Sequence, residues 1–165
     1  FLCNGVVGHI GFAQPTCEEL SSLLYAAAQK VGVRTHKGGT YINMEGPAFS
    51  TRAESHLYRS WGMDIIGMTN IAEARLAREA EICYSTLAAV TDYDCWYSEH
   101  ETVSVEMIVE CLKQNVENAK KVIKETIAKI PQQRTCPCKD ALKYAIITAK
   151  DAISRQAKRR SVTTH

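Results

Sequence analysis

Apolar positions along the chain fall into runs with two different periods. Leu20, Leu23, Leu24, Ala27 and Val31 recur at helical spacing. Thr16 and Glu19 stand ahead of them in capping-box order, and Gly32 ends the run. Thr40-Tyr41-Ile42-Asn43-Met44 is rich in strand formers and empties into Glu45-Gly46-Pro47. Thr51 with Glu54 opens a second helix through Leu57 and Trp61. Asp64-Ile65-Ile66-Gly67 reads as a short strand, and Asn70 with Glu73 starts a helix that runs to about Glu81. Ile82 to Val90 is almost continuously apolar, the pattern of a strand buried on both faces. A long helix is expected from about Ser104 to Ile130, with Val105, Ile108, Val109, Leu112, Val116, Ala119, Ile123 and Ile127 on one stripe. A last helix is expected near Asp140, facing Leu142, Ile146, Ala149 and Ile153 to one side.

Strands alternating with helices predict an α/β fold with a largely parallel or mixed sheet flanked by helices. No repeat or Gly/Ser linker interrupts it, so residues 1–157 read as one domain, followed by a basic tail at 158–165 expected to be disordered. In such folds ligands meet the loops at the carboxyl ends of the strands. Three loops qualify: Glu45 to Ser50, Met68 to Asn70, and Asp92 to Trp96.

A formal net charge of +2 and a hydrophobic share of 45% give no reason to expect nucleic acid or a membrane as partner. No apolar window of about 18 residues suggests a transmembrane helix. Seven cysteines are an odd number, and Cys3, Cys17, Cys83, Cys95 and Cys111 follow no metal or disulfide spacing, so reduced thiols and a cytoplasmic setting are expected. Cys136-Pro137-Cys138 is a pair that could oxidise or bind metal; a lone C-x-C is weak evidence for either, so it is read as a solvated loop, and neither a metal nor a cofactor is expected. The chain opens Phe1-Leu2-Cys3-Asn4-Gly5, without an initiator Met or a signal-peptide pattern, and reads as part of a longer protein.

Asp92 and Asp94 follow the apolar run two residues apart, so in extended backbone both carboxylates point the same way. Such a pair resists double ionisation and offers a donor beside an acceptor, which matches the N7 and 6-amino edge of adenine. An Asx-turn or a helix cap explains the same spacing. Thr69, ahead of a helix start, suits an anion such as phosphate or a simple cap. Phe49 is placed to stack on a base or to plug the core. His9, among small and apolar residues, reads on its own as structural.

Linked motifs reach further than any one of these. E-G-P-A-F-S-T-R-A-E-S (Glu45 to Ser55), Gly67-Met68-Thr69 followed by Ala72-Glu73-Ala74-Arg75-Leu76-Ala77, Ile82-Cys83-Tyr84, and Val90-Thr91-Asp92-Tyr93-Asp94-Cys95-Trp96 stand in one order. Together they resemble the methylthioadenosine phosphorylases of the purine nucleoside phosphorylase family, from about Gly5 to about Thr148. The resemblance implies an enzyme that splits methylthioadenosine with inorganic phosphate as co-substrate, giving adenine and methylthioribose 1-phosphate in purine and methionine salvage. It assigns Asp92 to N7 and the leaving group as the catalytic residue and Asp94 to the 6-amino group. Phe49 stacks on the base, Met68 lies under the ribose, Tyr93 joins the substrate contacts and Thr69 binds phosphate. His9 matches a histidine that reaches a neighbouring subunit's site in a homotrimer.

Ser50 and Asp92 stand where relatives that prefer 6-oxopurines carry Glu and Asn, so a 6-aminopurine is expected. Val105, Ile108 and Val109, closed by Leu142 or a neighbour, would form an apolar pocket for the 5′-methylthio group. Ala48 and Ala72 depart from the family pattern. The family's Gly-rich phosphate loop, its Arg-His pair and a further phosphate and ribose segment have no counterpart in this sequence. Two other readings therefore stay open: a purine nucleoside phosphorylase of broader specificity, and a non-catalytic truncated binding or assembly module.

Overall fold

The computed structural model describes residues 6–97 and 105–161, with side chains described from 106 to 158 in the second stretch. The fold is α/β, and the chain divides into two compact units. Within the described residues, the first unit draws on 6–20, Ile71–Ser85 and 131–161. The second is Ser21–Asn70 with 86–97 and 105–130.

In the second unit, β1 (Tyr41–Asn43) and β2 (Ile65–Gly67) pair in parallel, Tyr41 opposite Ile65, Ile42 opposite Ile66 and Asn43 opposite Gly67. Parallel strands need a crossover, and α2 (Arg52–Ser60) supplies it. At their amino ends, the backbone N–H of Thr40 donates to Asp64 Oδ2 (2.6 Å) and that of Asp64 to the Thr40 carbonyl (2.9 Å). Gly67 lies directly under the Tyr41 hydroxyl, which a Cβ at this position would displace. The apolar core of this unit is small and made by close approach. Ala27 and Ala28 of α1 (Glu18–Lys30) meet Val122 of α4 (Val105–Ile127), with Leu24, Val31, Val33 and Leu87 around them. Lys30 Nζ pairs with Glu125 at 2.6 Å, and Gly32, at φ +73°, carries the chain out of α1.

In the first unit, α3 (Asn70–Glu79) buries Ala74. A 3-10 turn (Pro137–Asp140) and α5 (Arg155–Ser161) complete the elements, and α5 runs into the basic stretch. The buried centre is cysteine rather than hydrocarbon: Cys17, Cys136 and Cys138, with Leu20 and Cys83 packed against them. Carbonyl groups of loops are closed by arginines, Arg78 donating to Gln14 O (2.6 Å) and Arg134 to Glu81 O (2.6 Å).

Four expectations need correction. Residues 82–90 form no strand, and the described sheet has two members; Ile82 and Val90 are exposed. An apolar run codes for a doubly buried strand only where neighbouring strands exist to receive it. The face of α4 turned inward bears Val122 and Thr126, whereas Val109, Leu112, Val116, Ile123 and Ile127 are exposed. This helix has more apolar residues than one face can hold, and periodicity alone does not choose between faces. No helix covers 141–153. Ile146 instead bridges Gly8, with His9 N–H on Ala145 O (2.8 Å) and Ile147 N–H on Val7 O (3.0 Å). The β-branched run Ile146-Ile147-Thr148 favours that pairing over a helix. Finally, Cys136 and Cys138 are not solvated but buried, 5% and 3% exposed.

Val122→Ala deletes two methyl groups from a site that is 1% exposed, and about 2 kcal/mol of stability should be lost by denaturant unfolding. Val116→Ala, at 50% exposure, should stay within about 0.5 kcal/mol. Equal losses would contradict the orientation of α4.

Candidate functional site

Parallel pairing decides where the loops emerge. β1 runs into residues 44–50 and β2 into 68–70, so both leave the same edge of the pair. The Met44 N–H extends the pairing to Gly67 O at 2.9 Å. The Asn43 side-chain amide then ties the exits together, donating to Met68 O at 3.0 Å and to Met44 O at 3.2 Å. Gly46 (φ +69°) lies directly on Met68, whose Sδ is 2.8 Å from the point a Cβ would occupy. Any side chain at this position would push Met68 away.

The third loop joins through α2. Thr51 and Glu54 form the expected capping box: Thr51 N–H to Glu54 Oε2 at 2.7 Å, and Glu54 N–H to Thr51 Oγ1 at 3.2 Å. One turn into this helix, Ser55 is 1% exposed and donates to Asp94 Oδ2 at 2.5 Å. Cys95 Sγ approaches Ser50 O at 3.5 Å, and the Arg59 guanidinium lies 3.8 Å over the Trp96 ring. On the other side, Asn115 of α4 donates to Val90 O at 3.0 Å and Cys111 Sγ approaches Thr91 O at 3.7 Å. The segment that carries the two acids is thus pinned between α2 and α4.

The sequence-predicted residues distribute as follows. Ser50, Met68 and Asp94 are drawn together by the bonds just described. Asp94 is half-buried and bonded to Ser55, while Asp92 is exposed and accepts from Thr91 Oγ1 at 2.5 Å. The acids therefore have different partners and different environments. Phe49 is 87% exposed, which excludes the core-plug reading within the described residues. Thr69 is exposed and immediately precedes α3, whose first residue, Asn70, accepts from Thr86 Oγ1 at 2.6 Å. Tyr93 is exposed and stacks on Tyr97 at 4.7 Å. Ile108 is half-buried, one turn before Cys111, and Val109 is exposed; the Val105 side chain is outside the described residues. His9 lies in the first unit, where its own backbone N–H serves the bridge to Ala145.

Sequence reasoning missed Ser55, Asn43 and Arg59 as positioning residues. Ser55 closes a motif that had been noticed only for its other members. Asn43 carries a signal of its own, a polar side chain near the end of the predicted strand stretch.

A family model described as the phosphorylase superfamily matches residues 1–128. The chain belongs to the phosphorylase superfamily. Among superfamily relatives, the chain is 60% identical to a Geobacter sulfurreducens protein named S-methyl-5'-thioadenosine phosphorylase, over 97% of this chain and 56% of that protein. It is 54% identical to the like-named protein of Koribacter versatilis, over 96% and 54%. The chain thus spans about half the length of the curated relatives it matches. Among solved structures, a methylthioadenosine phosphorylase from an antarctic soil metagenomic library superposes with TM-score 0.90 at 42% identity, covering 99% of this chain and 58% of that one. A methylthioadenosine phosphorylase from Schistosoma mansoni, solved with adenine, gives TM-score 0.73 at 31% identity, covering 90% of this chain and 58% of that one.

Ser55→Ala removes the bond that holds Asp94 and should cost about 2 kcal/mol in thermal or denaturant unfolding; an unchanged midpoint would deny the bond a structural role. Hydrogen bonds from the Thr51 backbone N–H and then its hydroxyl hold the Glu54 carboxyl below its ordinary value of 4.5. A carboxylate lowered in the folded state adds stability that is present above the unfolded value and lost as pH falls through the folded one. Glu54→Gln should therefore flatten the loss of stability on the acid side of pH 4.5, followed by melting temperature across that window.

Proposed function

We propose that this chain supplies the purine-binding surface, and part of the phosphate-binding surface, of an enzyme that cleaves S-methyl-5'-thioadenosine with inorganic phosphate. The products are adenine and 5-methylthioribose 1-phosphate. The observation that carries this reading is the joining of three loops in one unit: Gly46 on Met68, Asn43 bridging the strand exits, and Ser55 holding Asp94.

Breaking the glycosidic bond leaves positive charge on the sugar and negative charge on the departing base, so catalysis needs groups that stabilise both in the transition state. Asp92 bonds the base at N7 and supports it as it leaves. Asp94 is fixed through one oxygen by Ser55 and accepts the 6-amino hydrogen with the other. Phe49 stacks on the purine face, Tyr93 adds to the substrate contacts and Met68 packs against the ribose. Thr69 receives phosphate; the attacking oxygen forms the new bond at C1′ as the bond to the base breaks. No cofactor takes part.

Specificity follows from the same residues. Asp92 with Ser50 suits an aminopurine, and an apolar pocket of Val105, Ile108 and Val109 accepts methylthio where a 5′-hydroxyl would lose its hydrogen bonds. His9 is assigned to the 5′ end of the sugar in a neighbouring subunit of a homotrimer. Salvage of adenine and of the methionine-derived sugar in the cytoplasm is the corresponding setting. The names of the relatives and the adenine-bound structure of one of them support the reading.

The test uses the full-length natural protein. Adenine should appear from methylthioadenosine only when phosphate is present, and Asp92→Asn should lower kcat/KM about a hundredfold or more. Equal turnover of inosine would overturn the specificity assignment, and unchanged kinetics in the variant would remove Asp92 from the reaction.

A further inference from the structure

The first unit gathers Cys17, Cys83, Cys136 and Cys138 so that all four sulfurs lie within 4.8 Å of one another. They come from three distant stretches of the chain, each held in place by other bonds. Cys17 precedes α1 and its backbone N–H donates to the carbonyl of Tyr84, the residue after Cys83 (2.7 Å). Thr135 Oγ1 and Glu19 Oε1, 2.6 Å apart, fasten the C-P-C loop to α1, and Arg134 fastens it to Glu81. Cys17, Cys136 and Cys138 are 3–5% exposed and Cys83 is half-buried. All are free thiols, with Cys83 and Cys136 sulfurs 3.3 Å apart. None belongs to the purine and phosphate loops of the second unit.

Hydrophobic packing is a poor account of this cluster. Among the described residues, Leu20 is the one apolar side chain packed against the four cysteines, and thiols form weak hydrogen bonds to one another. Four sulfurs of this kind match the ligand set of a closed tetrahedral site, in which zinc–sulfur bonds of about 2.3 Å set sulfur–sulfur edges of about 3.8 Å. The Cys83 and Cys136 sulfurs are 3.3 Å apart and no pair of the four exceeds 4.8 Å, which brackets that edge. Two of the ligands sit in one short C-x-C turn and the others stand just ahead of α1 and in the segment that follows α3, so an ion would join every stretch of the unit.

We propose that Cys17, Cys83, Cys136 and Cys138 bind one zinc ion as a structural site that holds the first unit together. On binding, the S–H bonds give way to four zinc–sulfur bonds and the protons leave to solvent, so no electrons are exchanged. The tetrathiolate carries two negative charges in excess, which the neighbouring Arg134 guanidinium offsets in part. With four protein ligands there is no open position for substrate, so the ion stabilises and does not catalyse.

The experiment is elemental analysis of the chain purified without chelator, followed by cobalt titration after zinc is removed. One zinc per chain is expected, and cobalt should give the intense visible bands of a tetrahedral tetrathiolate, saturating at one ion per chain. The double variant Cys136→Ser, Cys138→Ser should lose stoichiometric binding, while Cys111→Ser keeps it. Because the double variant can fail to fold, the cobalt spectrum of the unaltered chain is decisive by itself. A chain with four reduced thiols that takes up neither ion stoichiometrically would overturn the proposal. So would freshly isolated protein whose mass is lower by four hydrogens, the sign of two disulfides.

Discussion

The parallel pairing of three residues with three sets the geometry of everything that follows in the second unit. With Asn43 opposite Gly67, the two strands end level, and the loops that leave them start side by side. Neither strand is long enough to be stable alone. The pair therefore relies on its ends: the Thr40–Asp64 bonds at one edge, and the Asn43 amide across Met68 and Met44 at the other. Antiparallel pairing would send one loop to each end. Parallel pairing gives the Gly46 turn and Met68 one shared edge, and the crossover helix α2 brings Ser55 to Asp94. A loop position in this unit is thus set by backbone pairing and side-chain hydrogen bonds several residues away from it.

The two units are built from different materials. In the second, Ala27 and Ala28 allow close approach to Val122, and apolar burial does the work. In the first, sulfur fills the centre, and arginine and threonine side chains close the loops around it. A unit with so little hydrocarbon inside gains most from a crosslink, since joining distant stretches limits the unfolded chain more than any single contact can.

Local signals in the sequence were reliable where they carry their own physics. The Thr51–Glu54 capping box, the stop at Gly32, the Asn70 helix start and the extent of α4 all depend on neighbours within one turn. The three loops were also legible, because a strand end and a turn residue mark them. What failed depended on partners the local pattern does not name. Residues 82–90 carry the composition of a buried strand but pair with no strand among the described residues. Ile146 answers to Gly8, far away in the chain, and α4 turns its less apolar face inward. The cysteine cluster was illegible for the same reason: Cys17, Cys83 and the C-P-C pair are separated by more than 50 residues at each step, and no spacing rule spans such gaps. Ser55 is legible, since it directly follows the Thr51–Glu54 capping box at the end of the Glu45 to Ser55 motif.

The central claim is that Phe49, Met68, Thr69 and Asp94 face a single ligand. Titrating adenine into isotope-labelled chain and following backbone amide shifts tests this directly. The account predicts that residues of all three loops shift together along one saturation curve, with those of the cysteine cluster unmoved. Shifts confined to one loop, or separate curves for separate loops, would contradict it.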